Sequence, residues 1–83
     1  MDVVVTASAL EEYSRVPRPI QARVLQLVGR LEHWPDVSGA KRLSGKLAGH
    51  FRLRTGDYRV QFRMDRGLLI MERIGHRDGF YDE

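Results

Sequence analysis

The stretch Phe51-Arg52-Leu53-Arg54-Thr55-Gly56-Asp57-Tyr58-Arg59-Val60-Gln61-Phe62 alternates arginine with apolar residues on both sides of a Thr-Gly-Asp centre. Successive side chains of a β-strand leave opposite faces, so this alternation predicts two strands with one apolar and one cationic face. A two-residue connection at Thr55-Gly56 is expected, pairing Leu53 with Tyr58, Phe51 with Val60, Arg54 with Asp57 and Arg52 with Arg59. Phe51, Leu53, Tyr58, Val60 and Phe62 then make a core face, and Arg52, Arg54, Asp57, Arg59 and Gln61 the other. Like charges directly opposite each other repel, so an Arg52–Arg59 pair costs stability and predicts a surface that binds an anion.

Working outward, strands are expected at about residues 50 to 54 and 57 to 64, then a turn around Asp65-Arg66-Gly67, then a strand from Leu68 to about Gly75. Leu68-Leu69-Ile70-Met71 is apolar on both parities, which predicts a central strand covered on both faces. Towards the start of the chain, the β-branched run in Asp2–Thr6 reads as a first strand. Ser8 with Glu11 has the spacing of a capping box, and the helix it opens should stop near Val16, before Pro17 and Pro19. Ile20, Val24, Leu27 and Leu31 recur at helical spacing and define a second helix whose apolar stripe Trp34 completes, with Pro35 as its stop. Gly29 within it is expected to mark close packing on the sheet. Residues 36–49 form a connection anchored by Leu43 and Leu47. The order is βααβββ: an α+β fold with two N-terminal helices packed on a small, mostly antiparallel sheet.

At 83 residues the chain is expected to be a single domain, 1–83, near the small end of what folds without disulfides, and it has no cysteine. The net charge of +3 is unevenly spread. Residues 1–40 hold four arginines against five acids, and residues 41–83 hold ten basic residues against six acids, so the positive charge belongs to the strands. Twelve of the fourteen basic residues are arginine, whose planar guanidinium suits bidentate phosphate contacts. The longest apolar runs are too short to span a membrane, and a cytoplasmic protein with no membrane partner is expected. His33, His50 and His76 lack a metal-binding spacing, no phosphate-binding loop or dinucleotide fingerprint occurs, and no serine sits in a nucleophile motif, so no metal and no cofactor are expected.

The segment LSGKLAGHFRLRTGDYRVQF (Leu43–Phe62), followed by a strand and by IGHRDGFY (Ile74–Tyr81), resembles the RelE/ParE toxin superfamily of bacterial type II toxin–antitoxin modules. The resemblance spans nearly the whole chain. It implies a RelE-like fold, a cognate antitoxin that wraps the toxin and, in the favoured RelE branch, a ribosome-dependent mRNA endoribonuclease. Such a toxin enters the A site of the 70S ribosome and cuts mRNA without a metal, the ribose 2′-hydroxyl attacking the adjacent phosphate. Operator DNA would be met only through the antitoxin complex.

Carried over by motif, Arg59 matches the arginine that holds the scissile phosphate, Arg77 the one that stabilises the transition state or the leaving oxygen, and Tyr81 the tyrosine that stacks on or orients the nucleotide. Arg52 and Arg54 match basic strand positions where relatives often carry lysine; with Lys46 and Gln61 they are the expected RNA contacts. Fixed guanidinium groups suit phosphoryl transfer, which gathers charge on the non-bridging oxygens. Arginine does not give up its proton, so the general base is left to Tyr81 or His76, and a bulge at Gly75 would be needed to bring His76 and Arg77 to one face. Two alternatives stay open: a ParE-like inhibitor of DNA gyrase, and an inactive co-repressor that only binds antitoxin.

Overall fold

The computed structural model describes residues 1–80, which form a five-stranded sheet with two helices against one face. Strands β1 (Asp2–Val5), β2 (Lys41–Arg42), β3 (His50–Thr55), β4 (Tyr58–Asp65) and β5 (Leu68–His76) lie in the order β1-β5-β4-β3-β2. Helices α1 (Ala7–Arg15) and α2 (Arg18–Leu31) follow β1 in the chain. β1 runs parallel to β5, and every other pair is antiparallel. The expected α+β architecture is therefore present, with a two-residue strand, β2, added inside the stretch read as a connection.

The helices are set by their caps and prolines. Thr6, not Ser8, caps α1: its hydroxyl accepts from the Ala9 backbone N–H at 3.1 Å. The box fails because the residue three beyond Thr6 is Ala9, which has no side-chain acceptor to return the bond. Val16 ends α1 at the expected place, and Pro19 sits in the first turn of α2, where its missing N–H costs nothing. α2 closes at Leu31, and residues 32–35 form turns that bring Trp34 back onto the sheet. Trp34 meets Phe51 and Phe62 edge-on, at ring-centroid distances of 4.8 and 5.0 Å.

Val24, Leu27 and Leu31 of α2 and Ala9 of α1 are buried against Leu53, Val60, Phe62, Leu69, Met71 and Ile74. Each large member adds about 1.5–3 kcal/mol by leaving water. Gly29 lies outside this contact: a Cβ built on it would meet nothing within 4 Å, so the close approach expected there does not occur. On β5, Leu69 and Met71 are buried while Leu68 is exposed, so the strand is central in the sheet but covered fully on one face only.

The β3–β4 hairpin differs from the expected register. The turn residues are Gly56 and Asp57, and Thr55 pairs with Tyr58, Leu53 with Val60, Phe51 with Phe62, Arg54 with Arg59 and Arg52 with Gln61. The cause is Gly56, whose φ of +60° suits the first central position of a tight hairpin turn, a conformation that Thr55 would resist. The change moves pairing by two residues, so every side chain keeps its face and the like-charged pair becomes Arg54–Arg59. The β4–β5 turn uses Arg66 and Gly67, both with positive φ, in the place expected.

Candidate functional site

Arg52 and Arg59 are each 8% exposed and Gln61 is 4% exposed, all on the sheet face opposite the helices. Arg54, across from Arg59, is exposed, and Lys41 on β2 pairs with Arg52. The structure thus brings Arg52, Arg54, Arg59 and Gln61 together on adjacent strands. A guanidinium shielded from water acts on a neighbouring charge far more strongly than one in bulk solvent, where screening reduces the same pair to about 1 kcal/mol at 4 Å.

A β-bulge shapes the rest of this face. Gln61 pairs with Arg73 and the next residue, Phe62, pairs with Met71, which leaves Glu72 as the extra residue of β5. The bulge is therefore at Glu72 and not at Gly75. It switches the alternation of β5, so that Leu69, Met71 and Ile74 all reach the core while Gly75 comes opposite Arg59. The Glu72 carboxylate becomes a hub: one oxygen meets His50 Nδ1 at 2.5 Å and accepts from Gln61 Nε2 at 2.8 Å, and the other lies 3.2 Å from Arg63 Nε. His50, Arg63 and the Gln61 amide are thereby held at one end of the face. His50 lies within the Leu43–Phe62 segment, whereas Glu72 stands in no motif, although the apolar spacing 69, 71, 74 records the bulge.

At the other end the chain turns back in a short 3-10 segment, Arg77–Gly79. The Arg77 backbone N–H donates to the Asp57 carbonyl at 2.8 Å, tying this segment to the hairpin turn. The Arg77 guanidinium is 57% exposed and lies 3.7 Å from the Asp57 carboxylate and 3.6 Å from that of Asp78. Both contacts are long and solvated, so the group is available to a stronger anion. Phe80, 9% exposed, folds over Gly75: a Cβ there would come within 3.1 Å of the Phe80 ring. Arg73 clamps it, with its guanidinium 4.2 Å from the ring centroid and Nη2 donating to the Gly79 carbonyl at 3.0 Å.

His76 is not brought to this cluster. It pairs with Tyr58 on the helix side of the sheet, their rings edge to face at 5.2 Å, and shares a hollow with Glu12, Arg15 and Val16. The bulge is again the reason, because it sets Gly75 rather than His76 on the arginine face. Lys46 is exposed in the turn Gly45–Leu47 that leads into β3. Tyr81 lies outside the described residues.

A mixed sheet in the order β1-β5-β4-β3-β2, with helices on one face and arginines on the other, defines the RelE-like class of α+β fold. No protein-family model matches the chain. It is 32% identical to a chain of the RelBE2 toxin–antitoxin complex of Mycobacterium tuberculosis, covering 92% of this chain and 96% of that one with a TM-score of 0.80. It is 24% identical to toxin RelE3 of Methanocaldococcus jannaschii over 99% of this chain and 97% of the relative. A chain of the RelE–RelB complex of Pyrococcus horikoshii shares the fold at 21% identity and a TM-score of 0.77, over 95% and 97% of the two chains. The chain belongs to the RelE/ParE toxin superfamily.

Proposed function

We propose that this chain is the toxin of a type II toxin–antitoxin pair, acts in the cytoplasm as a ribosome-dependent mRNA endoribonuclease, and is neutralised by a cognate antitoxin. The observation that carries this reading is the pair of buried arginines, Arg52 and Arg59, set beside exposed Arg54 on one sheet face. The M. tuberculosis relative was solved as a toxin–antitoxin complex, which supports the partner. Operator DNA is reached through that complex alone. No helix among the described residues is long and apolar enough to cross a membrane.

In the proposed reaction the 2′-oxygen of a ribose attacks the adjacent phosphorus and the bond from phosphorus to the 5′-oxygen breaks. The products are a 2′,3′-cyclic phosphate and a 5′-hydroxyl, and the proton lost by the 2′-hydroxyl is balanced by the one gained at the 5′-oxygen. Arg59 holds the non-bridging oxygens, with Arg52 and Arg54 binding the flanking phosphates. Arg77 swings from its two long carboxylate contacts to the charge that develops on the leaving oxygen. Proton handling moves away from His76, whose ring faces Tyr58, and is assigned to Tyr81, which also stacks on the base. Lys46 meets the RNA at the rim, and Gln61 acts through Glu72 to fix the face.

The test is primer extension on a defined mRNA in a purified translation system, with and without ribosomes, using wild type, Arg59→Lys and Arg77→Ala. Ribosome-dependent cuts within codons, lost in Arg77→Ala and reduced in Arg59→Lys, are expected. Folded, antitoxin-free protein that leaves the mRNA intact would overturn the nuclease reading and point to gyrase or to a co-repressor.

A further inference from the structure

β2 pairs with β3 only at Phe51 and Arg52, so among the described residues the edge of the sheet at Leu53–Thr55 has no strand beside it. An open cleft of about 570 Å³ lies along this edge, lined by Arg30, Ser38, Gly39, Leu53, Arg54 and Gly56. Arg30 is fixed in its wall by donating from Nη2 to the Ser38 carbonyl at 2.6 Å. Arg23, two turns earlier on α2, does not line the cleft but reaches its Gly56 end, with Nη1 3.4 Å from where a Cβ on Gly56 would sit. Seven residues of helix separate Arg23 and Arg30 by about 10 Å on the same side of α2.

None of these three arginines has an acidic partner within 4 Å among the described residues. Asp57, next to Gly56, is engaged with Arg77, and Asp36 lines the adjoining hollow with Arg30 and His33 without forming an ion pair. Three like charges gathered round one cleft repel, and an anion with spaced charges offsets that cost. Arg54 joins this cleft to the arginine face, because it lines the one and pairs with Arg59 on the other.

We infer that the RNA path does not end on the arginine face but turns round the bare edge of β3 at Leu53–Thr55 into the cleft of Arg23, Arg30 and Arg54, a second site for RNA phosphates. The inference rests on the proposed function for its ligand and adds a binding site remote from the reacting phosphate. Backbone phosphates are the chemistry that fits: the cleft and its rim offer guanidinium groups spaced along a helix, and among the described residues no aromatic side chain lines it for a base to stack on.

The experiment uses the whole protein and two 5′-fluorescein RNAs, of four and twelve nucleotides, made uncleavable by 2′-O-methylation. Anisotropy titrations between 50 and 200 mM salt give affinity and salt slope. Arg23→Gln, which removes no hydrogen bond seen among the described residues, is expected to weaken the twelve-mer several-fold, lower its slope by about 1, and leave the four-mer unchanged. Arg23→Gln with Arg30→Gln should lower the slope by about 2. Arg30→Lys, which keeps the charge, should hold most of it, and thermal melts confirm that each variant is folded. Equal loss for both lengths, an unchanged slope, or no binding of the twelve-mer by wild type would overturn the path. Variants that bind RNA normally but lose affinity for an acidic peptide would assign the cleft to a protein instead. Ribosomal cleavage measured in parallel separates the two readings: cutting without the length effect refutes the path alone, and a length effect without cutting refutes the nuclease alone.

Discussion

Gly75→Val should expel the Phe80 ring from the arginine face. A Cβ at position 75 falls 3.1 Å from Cε1 of Phe80, closer than the 3.5–4.0 Å that carbon atoms prefer, and the two methyl groups of valine reach further. The ring is also held in place by Arg73, whose guanidinium lies 4.2 Å from its centroid and whose Nη2 donates to the Gly79 carbonyl at 3.0 Å. Losing the burial of Phe80 costs about 1.5–3 kcal/mol, and losing the Arg73 contact about 0.5–1 kcal/mol. The better strand preference of valine returns up to about 1 kcal/mol, so the net loss is about 2 kcal/mol. For a chain of this size that lowers Tm by about 8–16 °C. The decisive assay is a double-mutant cycle by urea unfolding. In a Phe80→Ala background there is no ring to displace, so Gly75→Val should become neutral or stabilising, with a coupling energy near 2 kcal/mol. Additivity within about 0.5 kcal/mol would refute the idea that Gly75 is glycine to admit Phe80.

Glu72→Ala removes the shared partner of His50, Gln61 and Arg63, and should cost about 2 kcal/mol in urea unfolding, between the values of exposed and buried pairs. Glu72→Gln, which keeps an acceptor, should cost less. Gly56→Ala should destabilise by about 1 kcal/mol, because φ is +60° there, while Gly56→Asn should be better tolerated. Leu31→Ala opens the centre of the core and should cost about 2–5 kcal/mol, measurable as a lower urea midpoint at unchanged slope. Arg77→Ala should leave stability within about 0.5 kcal/mol of wild type while abolishing cleavage, since both of its ion pairs are long and exposed.

The faces of β3 and β4 were legible because alternation is local: Arg52, Arg54 and Arg59 had to share one face whatever the partner strand did. The register was not, since turns at Thr55-Gly56 and Gly56-Asp57 leave the same side chains on the same faces, and only the backbone preference of Gly56 separates them. Glu72 shows the opposite case. Its effect on the face of His76 was written in the apolar positions 69, 71 and 74, but a charged residue within a strand reads first as a solvated position. β2 could not be read, because two residues, Lys41 and Arg42, carry no period. The cleft beside β3 joins Arg23 and Arg30 to Arg54 and Gly56 across more than twenty residues of chain, and no motif spans that distance.

The placing of β1 beside β5 has a consequence for how the protein comes into being. β1 is the first strand made and β5 the last, yet they are direct neighbours, and α1 is braced by Glu12, whose carboxylate accepts from the Ile74 N–H at 2.9 Å. About 60 residues separate the two strands, which at roughly 5–20 residues per second takes about 3–13 s of synthesis. Through that interval Glu72, Gly75 and Arg77 do not yet exist, and the valines of β1 have no sheet to join. The arginine face is thus completed late in synthesis, although Arg52, Arg54 and Arg59 themselves precede Arg77 by only 18–25 residues, about 1–5 s at the same rate.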